Sequence, residues 1–195
     1  MNERPEIVLV STSPYRRALM ERLGVPFRCR APLIDEDSLK DPALDPESLV
    51  RMLAYEKAVS VAALEPDAIL IASDQVVAFK GRTFGKPGTV RSAVAQLMRF
   101  SGREHDLLTS VNFVCKGKVK EHLDKTTIRF RSFTRDEAER YVKADSPLDC
   151  AGSYKYESKG FMLIDRVFSI DETAIMGLPL IAVAEVLREL GYQLP

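Results

Sequence analysis

Ile7-Val8-Leu9-Val10 runs into Ser11-Thr12-Ser13-Pro14-Tyr15-Arg16-Arg17 with almost no connecting chain. Four apolar, mostly β-branched residues specify a buried strand. Ser13 has the chemistry of a helix N-cap, because its hydroxyl can accept an orphan backbone N–H, and Pro14 suits the first helical position. A strand that passes this abruptly into a helix commits the start of the chain to α/β packing. It also leaves the helix N-terminus standing at the strand's end, where free N–H groups and the dipole favour anions. Three hydroxyls and two arginines crowd that place, which points to phosphate. The glycines of a Walker or dinucleotide loop are absent, so neither standard phosphate motif applies. An ordinary capped surface helix with solvated arginines is the alternative.

The next segments continue the alternation of helix and strand. Helix one is expected from Pro14 to Leu23, with Gly24 as its C-cap, followed by a weak strand from Phe27 to Ala31. A loop rich in Asp and Pro then leads to Asp45-Pro46-Glu47, which opens helix two by the same cap-plus-proline logic. Leu49, Leu53, Val61 and Leu64 form its apolar stripe, and Lys57 falls on that stripe. A lysine facing inward is costly unless it meets an anion, although it can also snorkel at the stripe's edge.

Ala68 to Ser73 is the strongest buried strand in the chain, and Asp74-Gln75 separates it from a second apolar run, Val76 to Phe79. Asp74 is either a turn residue, which its type favours, or a carboxylate held at a sheet's working edge. Gly85-Lys86-Pro87-Gly88 is a tight loop, and Thr89 caps a helix to about Phe100. Two long antiparallel strands are expected between Glu104 and Phe133, joined at Cys115-Lys116-Gly117-Lys118. Thr134 to Glu137 is a capping box, Cys150 to Tyr154 a turn of small residues, and Phe161 to Ile164 a strand. Gly177-Leu178-Pro179 opens a last helix whose Ile181, Ala184, Leu187 and Leu190 face the core. The pattern specifies a mixed α/β fold, residues 1–195 forming one domain with a cleft between two lobes.

Composition narrows the function. Lys plus Arg and Asp plus Glu balance at 28 each, so no basic excess invites a nucleic acid. No apolar run reaches membrane-spanning length. Three cysteines, Cys29, Cys115 and Cys150, are widely spaced, which fits a reducing, cytoplasmic setting and argues against a thiolate zinc site. The polar residues that break the apolar pattern are Ser11, Ser13, Arg16, Arg17, Glu36, Lys57, Asp74 and Lys86. Hydroxyls, cations and two carboxylates suit a triphosphate carrying Mg²⁺ or Mn²⁺. A serine triad lacks its Gly-x-Ser-x-Gly elbow, and His105 and His122 read as satisfied or surface histidines.

Seven motifs occur in order: residues 11–17, Asp35-Glu36, Glu56-Lys57, 73–77, Gly85-Lys86-Pro87, 150–154 and 177–180. Together they resemble the Maf family of nucleoside triphosphate pyrophosphatases over essentially the whole chain. The resemblance implies an elongated mixed sheet flanked by helices, related to the inosine-triphosphate pyrophosphatases, with a deep central cleft and a homodimer. It implies metal-dependent hydrolysis of a nucleoside triphosphate to the monophosphate and pyrophosphate. By position it makes Asp74 the catalytic carboxylate and Glu36 the second acidic residue, the two sharing the metal. Ser13 and Arg16 become phosphate contacts, with Ser11 beside them, and Lys57 and Lys86 the site lysines.

Three positions depart from the branch selective for thymidine and uridine triphosphates: Tyr15, Gln75 and Glu157. They resemble the YceF-type branch, which prefers 7-methyl-GTP, although that branch often has tryptophan at the position of Tyr15 and glycine at that of Ser158. A ring methylated at N7 is cationic and is attracted to an aromatic face by about 0.5–2 kcal/mol. A carboxylate such as Glu157 accepts two hydrogen bonds from a guanine edge, where glutamine offers one acceptor oxygen. Tyr15 packing within the first helical turn and Glu157 as a solvated loop carboxylate are the plain alternatives. The rival functions are the same chemistry on UTP, CTP or dTTP, and a non-catalytic nucleotide-binding regulator of cell division.

Overall fold

The computed structural model describes residues 4–41 and 43–194. Strand β1 (Ile7–Val10) is buried on both faces and lies parallel to β2 (Arg28–Arg30) on one side and β3 (Ile69–Phe79) on the other. Its alternation divides its side chains between two layers. Ile7 and Leu9 join a core formed with Leu19, Met20, Val183 and Leu187, whereas Val8 and Val10 join one formed with Ala58 and Val61. Each fully buried aliphatic side chain contributes about 1.5–3 kcal/mol. That burial is what holds the capped start of α1 (Pro14–Glu21) at the end of β1.

The sheet has seven strands in the order β2-β1-β3-β5-β6-β7, with β4 (Arg82–Phe84) pairing β3 off this path. Strands β5 (Glu104–Cys115) and β6 (Lys118–Phe130) form the long antiparallel ladder expected, and β7 (Ile164–Phe168) closes the far edge. The helices that follow are a single turn α2 (Glu36–Leu39), then α3 (Pro46–Val59), α4 (Val90–Phe100), α5 (Arg135–Asp145) and α6 (Leu180–Glu189). Two lobes result, because β3 and β5 are long enough to serve two cores. Ile69, Ile71, Val111 and Phe113 belong to the first. Val77 and Leu107 belong to the second, with Phe100, Phe130 and Tyr154. The Thr134 capping box on α5 forms as expected, its hydroxyl and Glu137 exchanging bonds.

Four expectations fail for identifiable reasons. Asp74 is no turn: β3 runs unbroken, with residues 70–78 paired to β5 and Asp74 opposite Ser110. Helix α3 ends at Val59, where the Ser60 hydroxyl donates to the Lys57 carbonyl at 2.8 Å, so Leu64 lies beyond it and is exposed. The run Phe161 to Ile164 is mostly a 3₁₀ turn, because Gly160 N–H turns back to Lys155 O and pairing with β6 starts only at Ile164. In α6 the buried residues include Leu180, Val183, Val186 and Leu187, and Ile181 is exposed. That helix begins apolar nearly all round, so its periodicity leaves the phase open.

The cleft follows from how the edge of β3 is covered. Strand β1 pairs residues 69–71 and β4 pairs residues 77–79. Between them residues 72–76 have no strand partner on that edge, and both lobes open onto this gap. Among the described residues no helix is long and apolar enough to cross a membrane.

Candidate active site

A cavity of about 920 Å³ opens at the gap in β3, and it is lined by every residue singled out above for chemistry or substrate choice except Arg17. Ser11, Ser13, Tyr15 and Arg16 come from the β1–α1 junction, Glu36 from the start of α2, and Lys57 from α3. Asp74 and Gln75 come from the uncovered edge, Lys86 from the second lobe, and Glu157 from the loop after Tyr154. Arg17 instead points to solvent, paired with Glu21 at 3.1 Å.

The carboxylates meet at one ammonium. Lys57 Nζ is 2.5 Å from Asp74 Oδ1 and 3.1 Å from Glu36 Oε1. Lys57 and Asp74 side chains are 5% and 10% exposed, whereas Glu36 is 42% exposed at the cleft side. The strand alternation explains the meeting: even-numbered residues of β3 face α3, so Asp74 is aimed at the lysine on that helix's inner stripe. Burial of this lysine is tolerable because the carboxylates compensate it.

The helix end is built as its residues indicate. Ser13 N–H donates to Ser11 Oγ at 3.1 Å, and Ser13 Oγ accepts from Arg16 N–H at 3.4 Å. Arg16 Nε donates to the Gly177 carbonyl at 2.9 Å. Burial lowers the Arg16 guanidinium's proton affinity, with Asp74 and Glu36 acting in opposition. Lys86 is exposed and makes no hydrogen bond or ion pair among the described residues, so its charge faces the cleft unneutralised.

At the other end of the cleft, Tyr15 OH donates to Asp149 Oδ2 at 3.4 Å, and Cys150 Sγ is 3.9 Å from the same hydroxyl. Burial, then Cys150, raises the Tyr15 phenol above its ordinary range, so it stays neutral. Burial and the nearby Asp149 carboxylate push the Cys150 thiol up to about 12, which rules it out as a thiolate at neutral pH. The turn after Cys150 fits only glycine at 152: φ is +74°, and a Cβ there would lie 2.7 Å from Val77 Cγ2. Ser158, where the resembling branch often has glycine, anchors its loop by donating to Asp145 Oδ1 at 2.5 Å.

Gln75 makes contacts that its neighbours in sequence do not announce. The two N–H donors of its amide Nε2 are shared among Thr109 Oγ1 at 2.9 Å, Ala174 O at 2.7 Å and Ile175 O at 3.1 Å. Lys40, Asp149 and Tyr156 also line the cavity and escape notice in sequence, because each sits among other polar or loop residues. Lys40 could have been sought from its spacing: it follows the last residue of α2 and pairs with Asp37, three residues back, at 2.7 Å.

Among the described residues no cluster of three or more histidine, cysteine or carboxylate side chains is arranged to hold a metal. Glu36 and Asp74 together supply two carboxylates to one point, which is the protein share Mg²⁺ takes when it arrives on a triphosphate and keeps phosphate and water as its other ligands. The donor set therefore fits a cation delivered with substrate, and it does not fit a resident all-protein cage.

Comparison with known proteins agrees with this architecture. A Bdellovibrio bacteriovorus protein named 7-methyl-GTP pyrophosphatase is 44% identical over 94% of this chain and 96% of its own length. One of the same name from Aromatoleum aromaticum is 45% identical over 97% of this chain and 98% of its own. The solved Staphylococcus aureus Ham1 protein shares the fold at a TM-score of 0.51 and 12% identity, covering 94% of this chain and 98% of that one. The family model described as Maf-like protein matches residues 6–190. The chain belongs to the Maf family.

Proposed function

We propose that this protein hydrolyses 7-methyl-GTP to 7-methyl-GMP and pyrophosphate, in the presence of Mg²⁺ or Mn²⁺. The carrying observation is the buried Lys57–Asp74 pair, joined at the cleft side by half-exposed Glu36, in a cleft that also presents Arg16 and Lys86. Carboxylates gathered beside unneutralised cations suit a polyanion that brings its own metal. The relatives named for 7-methyl-GTP support the choice of base.

Each residue has a task that its geometry permits. Asp74 accepts the proton of the water that attacks the α-phosphorus. Lys57 has three donors, two of them directed at Asp74 and Glu36, and gives the third to a phosphate oxygen. Arg16 uses Nε on Gly177 O and keeps its terminal N–H groups for phosphate, with Ser11, Ser13 and Lys86 completing the grip. These cations offset the charge that grows on the departing pyrophosphate. A divalent cation held by Glu36 and Asp74 would neutralise phosphate charge and polarise the phosphorus. The Tyr15 ring stacks on the cationic base, and Glu157 accepts from the guanine edge.

We assign the enzyme to the cytoplasm, in keeping with three unpaired cysteines, and to a homodimer, in keeping with exposed Phe168 and Ile170 at the edge of the sheet. Pyrophosphate release is the test, measured on 7-methyl-GTP, GTP, UTP, CTP and dTTP with and without Mg²⁺ or Mn²⁺. Preferential release from 7-methyl-GTP is expected. Preference for UTP, CTP or dTTP would keep the chemistry and remove the base assignment, and no release from any of them would leave a nucleotide-binding regulator.

A further inference from the structure

Four side chains converge on the carbonyls of one short segment, the 3₁₀ turn Glu172–Met176 and its cap Gly177. Gln75 Nε2 reaches Ala174 O and Ile175 O. Thr109 lies opposite Gln75 in the β3–β5 register and is 1% exposed. It accepts from Gln75 at 2.9 Å and donates its own proton to Ala174 O at 2.9 Å. At the segment's end Gly177 O accepts from Ser73 Oγ at 2.8 Å and from Arg16 Nε at 2.9 Å. Ser73 and Gln75 are odd-numbered on β3, so this clamp occupies the sheet face away from Asp74 and Lys57.

A guanidinium is planar, so one fixed bond at Nε restricts the directions of its remaining donors. The carbonyl that makes that bond sits at the end of a 3₁₀ turn, and Gly177 holds φ at +101°. Three of the bonds that tie this turn's carbonyls come from buried Thr109 and half-buried Gln75. Small misplacements of a substrate-holding group cost rate steeply.

We propose that Thr109 and Gln75 are positioning residues for Arg16: by clamping the turn that ends at Gly177, they orient the guanidinium toward bound phosphate. The proposal rests on the assignment of Arg16 as a phosphate contact. It also changes how Gln75 affects substrate handling, since its amide donors are spent on the turn and act through the arginine instead of on the base.

Binding of inorganic pyrophosphate, followed by calorimetry with Mg²⁺ present, tests this without involving base recognition or turnover. Thr109→Val, which keeps the shape and loses the hydroxyl, should weaken pyrophosphate binding about tenfold, the loss of one well-placed charged hydrogen bond. Thr109→Ser should restore it, and Gln75→Met should repeat the loss should Thr109→Val fail to fold. In an Arg16→Gln background, Thr109→Val should add no further loss, because both changes remove the same contact. The proposal is overturned by parental affinity in folded Thr109→Val, by no rescue with serine, or by losses that add in full with Arg16→Gln. Parental affinity in Arg16→Gln alone would overturn the phosphate assignment itself, and this proposal with it.

Discussion

Lys57 Nζ lies 2.5 Å from Asp74 Oδ1, across the packing of α3 on β3, and both side chains are nearly sealed from water. The pair occupies the cleft floor at the point where the edge of β3 is uncovered. An ion pair placed there solves two problems at once. It makes the carboxylate bearable inside a strand, and it keeps an ammonium on the cleft floor, where the proposed substrate's phosphates would be neutralised.

Removing the lysine leaves Asp74 buried beside Glu36 with no cation between them. Lys57→Met is therefore expected to destabilise the protein by about 3 kcal/mol, the usual cost of breaking a buried pair from one side. Urea unfolding measures this. Mg²⁺ held by the two carboxylates, as proposed, would replace the missing charge, so it should raise the variant's midpoint more than the parent's. Equal responses to Mg²⁺ would argue against a cation site at these carboxylates.

Asp74→Asn separates chemistry from architecture. Asparagine keeps the shape in β3 and loses the proton acceptor. Turnover should drop by roughly 10²–10⁴-fold, the range for losing a general base. Unfolding should remain cooperative. Full turnover by a folded Asp74→Asn protein would exclude Asp74 as the base.

Glu157 and Tyr15 are expected to govern base choice without affecting the phosphates. Glu157 is exposed in the cleft wall and makes no hydrogen bond or ion pair among the described residues, so its acceptors are available to a ligand. Glu157→Gln should reduce kcat/KM for 7-methyl-GTP about tenfold more than for UTP, the worth of one charged hydrogen bond. Tyr15→Ala should act in the same direction through lost stacking. Equal losses on both nucleotides would remove these residues from base recognition.

The sequence carried some of this arrangement and concealed the rest, for physical reasons. Caps are local, so Ser13 with Pro14, Asp45 with Pro46, and the Thr134 box were all readable and all form. Lys57 was visible as a lysine on an apolar stripe, which is a burial anomaly that one helix can reveal. Asp74 misled because its type favours turns, and only the partner on α3 makes a mid-strand carboxylate affordable. The clamp on the Glu172–Gly177 segment was invisible, since Gln75 and Ala174 are 99 residues apart and the break that Gln75 makes in β3 does not say what its amide meets. Phases and ends also escaped, as with Ile181 and Leu64, where apolar residues continue past the surface that tertiary packing selects.

His105 gives the protein an acid-side weakness that can be measured. Its ring stacks on Phe100 at 4.7 Å, its Nε2 contacts Tyr154 OH at 3.0 Å, and its Nδ1 has no partner. Burial lowers its pKa to about 4, against a small opposing pull from Asp106. Above the ordinary histidine value, near 6.5, both folded and unfolded chains hold the ring neutral, and the contribution to stability does not change with pH. As pH falls from there toward 4, the unfolded chain takes up a proton that the folded one refuses. Stability should fall across that window by about 3 kcal/mol from this residue. His105→Phe keeps an aromatic ring against Phe100 and Phe130 but leaves the Tyr154 hydroxyl unpaired, at about 1 kcal/mol near neutral pH. Its stability should then decline less steeply between pH 6.5 and 4 than the parent's, by urea titrations at each pH. Parallel decline in the two proteins would place the acid sensitivity elsewhere in the molecule.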